Sequence, residues 1–364
     1  MTFEIFLYIV IALYCIQIAI FIAGLNRRSS NKESTNKPFV SIIIAARNEE
    51  LNLPICLDSA IKQTYPTSLF EIIIVNDHSS DKTEMICNEY SSKYSFVRYI
   101  NTSPDEVLRG KANALAQGID HAKGEVILIT DADCVVPETW VEYTAMQFSS
   151  DIDLLGGFTL QKATSPFTGM QSLDWAYILG MAASSANLGY PLGSIGNNLA
   201  FRKTAYENVG GYRKLKFSVT EDYTVVQAIV CRKKSNYVYP VDSLHLVESK
   251  PCADWLTLLR QKHRWGKGGL DMKLGGLFIM VIGFLMHTAP FIMLYWNGVI
   301  TASVVLMIKF IADYSYLYQI LRRLNRVDEL RWFYWFELYF IFYVVALPFL
   351  VFFGGKVNWK GRQF

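Results

Sequence analysis

FVSIIIAARNEELNLPICLDSAIKQTYPTSLFEIIIVND, residues 39–77, holds two short β-branched runs with a helix-period segment between them. FVSIIIAA at 39–46 is polar only at Ser41, and FEIIIVND at 70–77 reads as a second buried strand. LNLPICLDSAIKQTY at 51–65 has helical period, with Pro54 in the first turn, where its missing N–H costs little. The stretch is a β-α-β unit. The pattern then repeats through a helix opening at Asp81, with Glu84 three residues on as a capping box, and a strand FVRYI at 96–100. A helix over 111–123 and a last strand, EVILIT at 125–130, complete it. Such alternation implies a parallel sheet with right-handed crossovers, whose ligands sit at the carboxyl ends of the strands. Arg47, Glu49, Asp77, Asp131 and Asp133 all fall there. Beyond 150 the sequence predicts a strand near 153–161, a long helix over 166–187, a Gly/Pro-rich loop YPLGSIGNN at 190–198, and helices beginning near 203 and 220.

The flanks are of another kind. With 52% apolar and 14% aromatic residues in 364, the composition is high for a chain that meets only water. Residues 3–24 form an apolar helix whose ~22 residues span roughly 33 Å, against a hydrocarbon core of about 30 Å. No basic region precedes it and no clear cleavage site follows, so it reads as an anchor rather than a removed signal. Arg27, Arg28, Lys32 and Lys37 in the linker (25–38) place its C-terminal end in the cytoplasm by the positive-inside rule. Further spans are expected at 274–296, 299–321 and 332–353, with Arg322, Arg323, Arg326 and Arg331 in a cytosolic loop. The basic tail KVNWKGRQF, within 354–364, conflicts with that count, because three spans after a cytosolic domain would leave it outside. The last apolar stretch is then re-entrant or interfacial, or another stretch does not fully span. Six cysteines without CxxC spacing fit reduced, mostly buried thiols, and a net charge of +3 argues against nucleic acid as partner.

The chemistry-bearing stretches have two readings each. Asp131 and Asp133 in ITDADC either cap a turn or hold Mg²⁺ or Mn²⁺, hard ions that take their remaining ligands from phosphate oxygens and water. Asp77 in VNDHSSD can accept from a nucleobase or ribose, while Ser79, Ser80 and Asp81 start the next helix. Arg47 and Glu49 in ARNEE are a solvated loop or ligand contacts. Glu221 and Asp222 in TEDY suit a helix N-terminus electrostatically, and an acid there could also serve as general base. RQKHRW at 260–265 sets Gln261, Arg264 and Trp265 on one helical side, as interface anchors or as groups for a diphosphate and an acceptor.

In order, AARNEE, VNDHSSD, GKANAL at 110–115, TDADC, GNNLAFRK at 196–203, TEDY and QKHRW resemble the membrane-bound, inverting family-2 glycosyltransferases, with their D, DxD, D, (Q/R)xxRW pattern. The resemblance covers about 40–270, and NWKGR resembles a C-terminal motif of some members. It implies an α/β GT-A fold, Rossmann-like, at 39–250, an interfacial QxxRW helix at 251–273, and flanking transmembrane helices, the N-terminal one at 1–24 and about three at 274–353. It makes Ala45, Arg47, Glu49 and Asp77 nucleotide contacts and Lys111 a neighbour of the diphosphate. Asp131 and Asp133 become the diphosphate and metal site, for Mg²⁺ or Mn²⁺. Asp222 is then the catalytic base, Gln261, Arg264 and Trp265 close the site, and Asn197 and Asn198 lie near the acceptor. Asn76-Asp77 departs from members with two acids in that motif, which bears on the base contacts.

The implied activity is transfer of a sugar from a nucleotide-sugar, UDP-linked first, to a membrane lipid or glycan acceptor at the cytosolic face of the cell membrane, by a multi-pass protein. A lipid or lipid-linked acceptor is preferred over a growing polysaccharide, because roughly four spans give little material for a polymer channel; a homo-oligomer or a partner subunit stays open. A silent scaffold binding nucleotide is the reading from another class, and intact acids argue against it. A transporter would draw on Lys309, Asp313, His287 and Glu337 in apolar stretches, but the i, i+4 spacing of Lys309 and Asp313 suggests a mutually paired couple.

Overall fold

The structure, a computed structural model, describes residues 2–27, 37–149, 151–216, 218, 220–232, 236–270, 272, 274–355, 358–359 and 362–363. Arg28 and Lys32 of the linker, and Lys356, Lys360 and Gly361 of the tail, lie outside the described residues. In chain order the elements are α1 (Thr2–Asn26), β1 (Val40–Ala46), α2 (Leu53–Ala60), β2 (Phe70–Asn76), α3 (Thr83–Lys93), β3 (Val97–Asn101), α4 (Gly110–His121) and β4 (Val126–Asp131). They continue through β5 (Cys134–Val135), α5 (Trp140–Gln147), β6 (Ile152–Gly156), β7 (Thr159–Gln161), α6 (Pro166–Asn187), β8 (Leu199–Arg202), α7 (Lys203–Asn208), α8 (Gly211–Lys214) and α9 (Glu221–Val230). The last are β9 (Asn236–Val238), β10 (Val247–Ser249), α10 (Trp255–Gly269), α11 (Leu274–Arg323) and α12 (Phe333–Phe353). The chain divides into two compact units: one from Ser29–Leu160 and Gly193–Lys250, the other from Met1–Arg28, Gln161–Leu192 and Pro251–Phe364.

The first unit is built on a seven-stranded sheet in the order β3-β2-β1-β4-β8-β6-β9. Its continuous isoleucine and valine runs follow from cover on both faces, since successive side chains point to opposite sides. Ile42, Ile44, Ile72, Ile74 and Leu128 pack with Leu53 and Leu57 of α2, Cys87 of α3 and Trp140 of α5. Ile43, Ile73, Val75, Ile127 and Ile129 pack with Leu115 and Ile119 of α4 and Val225, Val226 and Ile229 of α9. Gly118 lets α4 approach closely, because a Cβ there would lie 2.7 Å from Ile43 Cγ2.

Three expectations need correction. The sheet is mixed rather than parallel: β1, β2, β3 and β4 run parallel, but β8 is antiparallel to both β4 and β6. The chain leaves this unit after Leu160 and re-enters at Gly193, so β8 is reached through no β-α-β crossover and is free to run the other way. The strand expected over 153–161 divides into β6 and β7, and β7 joins β5 and β10 in a separate small sheet. The helix expected from Asp81 opens at Thr83. Asp81 instead accepts from the backbone N–H of Thr83 at 3.0 Å and of Glu50 at 3.1 Å, and Glu84 accepts from Asn101, so no capping box forms.

In the second unit, α1, α11 and the helical stretch Val327–Phe353 containing α12 are long and apolar enough to cross a membrane. The 50 residues of α11 are broken at Gly298 (φ 82, ψ 178), which falls between the expected spans 274–296 and 299–321. Only glycine takes such backbone angles without strain. Lys309 pairs with Asp313 at 2.7 Å, as the spacing suggested, and also with Glu337 of α12 at 2.6 Å. Tyr14 of α1 and Tyr177 of α6 donate to the Asp313 carboxylate at 2.5 and 3.1 Å, so the cluster ties four helices together. Of the tail, Asn358–Trp359 pairs antiparallel with Arg362–Gln363.

Candidate active site

The register of the parallel strands sets the geometry. Ala45 lies opposite both Val75 and Asp131, and Ala46 opposite Asn76, so the carboxyl ends of β1, β2 and β4 finish level. The loop after β1 and the loop after β2 are laced together: Asn48 N–H donates to Ser79 Oγ, Ser80 N–H to Asn48 Oδ1, and Arg47 Nη1 to the Asp77 carbonyl at 2.8 Å. The two serines thus bind the neighbouring loop instead of starting a helix. Asp77 is buried, with Thr102 Oγ1 at 3.3 Å from its carboxylate and Arg47 at 3.9 Å. Glu49 is buried as well; its backbone N–H donates to Thr83 Oγ1, and its carboxylate accepts from Asn52 at 2.6 Å.

Asp131 ends β4 and Asp133 stands in the turn before β5. Lys111, in the first turn of α4, reaches Asp131 at 2.6 Å and Glu221, in the first turn of α9, at 3.4 Å. Burial disfavours the lysine's charged form, but Asp131, Glu221 and Asp222 outweigh it and hold its pKa above the ordinary value. Residues some ninety positions apart therefore share one charge cluster. Asp222 is fixed by two backbone donors, Gly196 N–H to Oδ2 and Tyr223 N–H to Oδ1, each at 2.8 Å. Gly196 eases that approach, because a Cβ there would sit 3.2 Å from Asp222 Oδ2 and press on it.

Beneath the acidic turn, Cys56 Sγ donates to the Asp131 carbonyl and Cys134 Sγ lies 3.5 Å from Asp133 Oδ1. Burial, reinforced by the carboxylates, pushes both thiols well above the usual range, so they stay protonated and offer no soft thiolate ligand. Among the described residues no three His, Cys, Asp or Glu side chains converge to hold a metal. Two hard carboxylates, with the Asp131 side chain 32% exposed, fit an oxygen-preferring ion such as Mg²⁺ or Mn²⁺ that completes its shell with phosphate oxygens and water.

The two asparagines of the glycine-rich loop are buried. Asn198 is fully buried; its amide donates to the carbonyls of Phe158 and His245, and its oxygen accepts from Trp140 Nε1. Asn197 is buried and accepts from Thr159 Oγ1 at 2.9 Å. The Asn198 side chain is committed to these neighbours and the Asn197 oxygen to Thr159, while the backbone of the same loop reaches Asp222 through Gly196 N–H. Glu221, read from sequence as an acid at a helix start with no partner named, pairs with Lys111. Gln261, Arg264 and Trp265 lie on α10 in the second unit, each half-buried.

Comparison with known proteins gives the same answer along most of the chain. Residues 41–210 match Glycosyl transferase family 2, and residues 126–353 match Glycosyl transferase family group 2. "Probable glycosyltransferase YdaM" of Bacillus subtilis (strain 168) is 29% identical over 239 residues, covering 64% of this chain and 55% of that protein. The poly-beta-1,6-N-acetyl-D-glucosamine synthase of Staphylococcus epidermidis is 32% identical over 190 residues, 51% of this chain and 44% of the relative. The beta-monoglucosyldiacylglycerol synthase of Trichormus variabilis (strain ATCC 29413 / PCC 7937) is 26% identical over 240 residues, 64% and 49% respectively. The chain thus spans about half the length of these three relatives. Among solved structures, the mannosyltransferase PcManGT from Pyrobaculum calidifontis, in complex with GDP-Man and Mn²⁺, superposes with a TM-score of 0.61 at 17% identity, covering 96% of both chains. The fold is of the GT-A kind. With the family group matched over more than half of its length, the chain belongs to the family 2 glycosyltransferases.

Proposed function

We propose that the chain is an inverting glycosyltransferase that moves a sugar from a nucleotide-sugar, a UDP-sugar first, to a hydroxyl of a membrane lipid or lipid-linked acceptor. The observation that carries the reading is Asp222, aimed by two backbone N–H groups beside the Lys111–Asp131–Glu221 cluster at the carboxyl ends of the strands. A carboxylate held in that way is fixed in one rotamer, which suits a general base. In the reaction Asp222 takes the acceptor hydroxyl's proton as that oxygen bonds to the sugar's C1 from the face opposite the nucleotide. The bond from C1 to the diphosphate oxygen breaks, its electron pair leaves with the nucleoside diphosphate, and the product glycoside has inverted configuration.

Ala45, Arg47, Glu49 and Asp77 are assigned to the nucleotide and Lys111 to the diphosphate. Asp131 and Asp133 would hold Mg²⁺ or Mn²⁺, whose charge offsets that developing on the leaving group. Arg264 is assigned to a diphosphate oxygen, and Gln261 and Trp265 to closing over the substrates, Trp265 on the acceptor. We place the catalytic domain at 39–250, the interfacial helix at 251–273 and the spans around them, in a multi-pass cell-membrane protein whose catalytic domain is cytoplasmic. A glucosyldiacylglycerol synthase among the relatives supports a lipid acceptor, and a poly-N-acetylglucosamine synthase supports the second reading, polymer synthesis.

The test is direct. Purified protein in detergent is given UDP-glucose, UDP-N-acetylglucosamine or GDP-mannose with Mg²⁺ or Mn²⁺, and dioctanoylglycerol or native lipids, and products are read by mass. One added sugar on a lipid is expected. A ladder of sugars selects the polymer reading, and absence of metal-dependent nucleotide release with every donor refutes both.

A further inference from the structure

The motif QxxRW leaves two positions blank, and one of them, Lys262, is fully buried in an ion pair with Asp174 of α6, which is also fully buried. The two helices meet through side chains in the same order along each. Phe167 of α6 meets Trp255 of α10 with ring centroids 4.9 Å apart, Asp174 meets Lys262, and Trp175 meets Trp265 at 5.3 Å. Trp255, Leu258, Lys262 and Trp265 lie along one side of α10, with Leu258 and Lys262 buried, Trp265 half-buried and Trp255 exposed. Each of the four except Lys262 is apolar or aromatic.

A buried pair of this kind is weak evidence for stability, because well-packed apolar residues of similar volume often replace it without loss. What it does supply is a directed charge. The Lys262 ammonium lies 4.4 Å from the centroid of the Trp265 ring and 5.2 Å from that of Tyr343 in α12. Asp174 is held in turn by the Tyr339 hydroxyl of α12 at 3.2 Å. Trp265 therefore stands with Trp175 against it and a desolvated cation over its ring, an attraction that fixes the ring's plane as well as its place. α10 is itself seated closely on α12, where a Cβ on Gly266 would come 2.4 Å from Val351 Cγ2.

We propose that Lys262 and Asp174 are positioning residues that orient the Trp265 indole for the acceptor. The proposal rests on the reading of Trp265 as the acceptor-facing member of the motif. It predicts a dependence that a packing role alone does not produce: the charge over the ring matters, not merely the filled volume.

The test compares Lys262→Arg with the double variant Lys262→Met/Asp174→Leu, whose side chains are close in shape to the native pair and leave no charge unpaired. Expected for the double variant are a melting temperature no lower than the parent's, UDP affinity within about twofold, and an apparent KM for dioctanoylglycerol raised about tenfold with kcat changed far less. Lys262→Arg, which retains a cation, is expected to keep the parental KM. A readout independent of substrate accompanies it. In protein labelled with 5-fluorotryptophan, the Trp265 fluorine signal, assigned through Trp265→Phe, is expected to shift and broaden in the double variant and not in Lys262→Arg. An unchanged Trp265 signal overturns the proposal, as does an unchanged acceptor KM in an active enzyme. Inactivity of the parent with every donor and acceptor refutes the transferase reading instead, and the fluorine arm still decides the orientation.

Discussion

Replacing Asp222 by asparagine separates catalysis from folding. Both carboxylate oxygens accept a backbone N–H, from Gly196 and from Tyr223. Asparagine can offer an oxygen to one of them, and its NH₂ then faces the other donor. The cost is about one hydrogen bond, ~1–2 kcal/mol, against a folding free energy of roughly 5–15 kcal/mol for a domain. Asp222→Asn should therefore fold and still bind UDP. Losing a positioned general base should lower turnover by about 10²–10⁴. Lipid product from labelled UDP-glucose gives the rate, and calorimetric titration gives the UDP affinity, expected within about threefold of the parent. The control is the adjacent acid. Glu221→Gln removes the more distant of the two Lys111 partners and leaves Asp131 at 2.6 Å, so its loss should be about tenfold or less. Turnover in Asp222→Asn within tenfold of the parent, or a larger loss in Glu221→Gln, would falsify the assignment of the base.

Lys111→Met leaves Asp131 and Glu221 without their shared cation, and turnover should fall about 100-fold without recovery at saturating Mn²⁺, measured as initial rates over a metal series. Gly118→Val drives methyls into Ile43 and Val75, so the melting temperature should drop with a cost of about 1–3 kcal/mol. His245, stacked against Trp140 and Tyr143, is held near pKa 3 by burial. The unfolded chain binds its proton near pH 6.5, so this contribution is complete above 6.5 and is lost as pH falls toward 3. Stability should decline by about 2 kcal/mol between pH 6.5 and 5 in melts of the parent, and His245→Phe should flatten that slope. Lys309→Met strands Asp313 and Glu337 in the second unit and should cost about 3–5 kcal/mol, read as lost detergent-extracted monomer or lowered melting temperature.

The strands β1, β2 and β4 were legible because burial on both faces leaves an unbroken apolar run, a signal few other structures produce. The long helix α6 was legible by its length, and its expected limits, 166–187, agree with Pro166–Asn187. The direction of β8 was not. Strand sense depends on where the chain has been, and the excursion through α6 carries no local mark of which end of the sheet it returns to. The start of α3 failed for a related reason. Asp81 has the right side chain for a cap, but the loop after β1 offers a competing donor in Glu50 N–H, and a contact 31 residues away is invisible to a window of four.

The same limit governs the site. Ordered motifs identified which residues carry charge at the strand ends, because Asp-x-Asp after a strand and acids at a helix start have few other uses together. They did not distinguish an asparagine that faces substrate from one that stitches strands, since Asn198 stands in the same glycine-rich loop either way. Only its three saturated hydrogen bonds decide the matter. The residues alone did not rank Glu221 and Asp222, which only the resemblance separated; their side chains leave a helix about 100° apart. One turns to Lys111 and the other to Gly196. Lys262 is the extreme case. A blank position in a motif predicts freedom of choice, yet a lysine with no exposed surface, paired with an aspartate 88 residues earlier in the chain, is constrained by its neighbours as tightly as the lettered positions beside it.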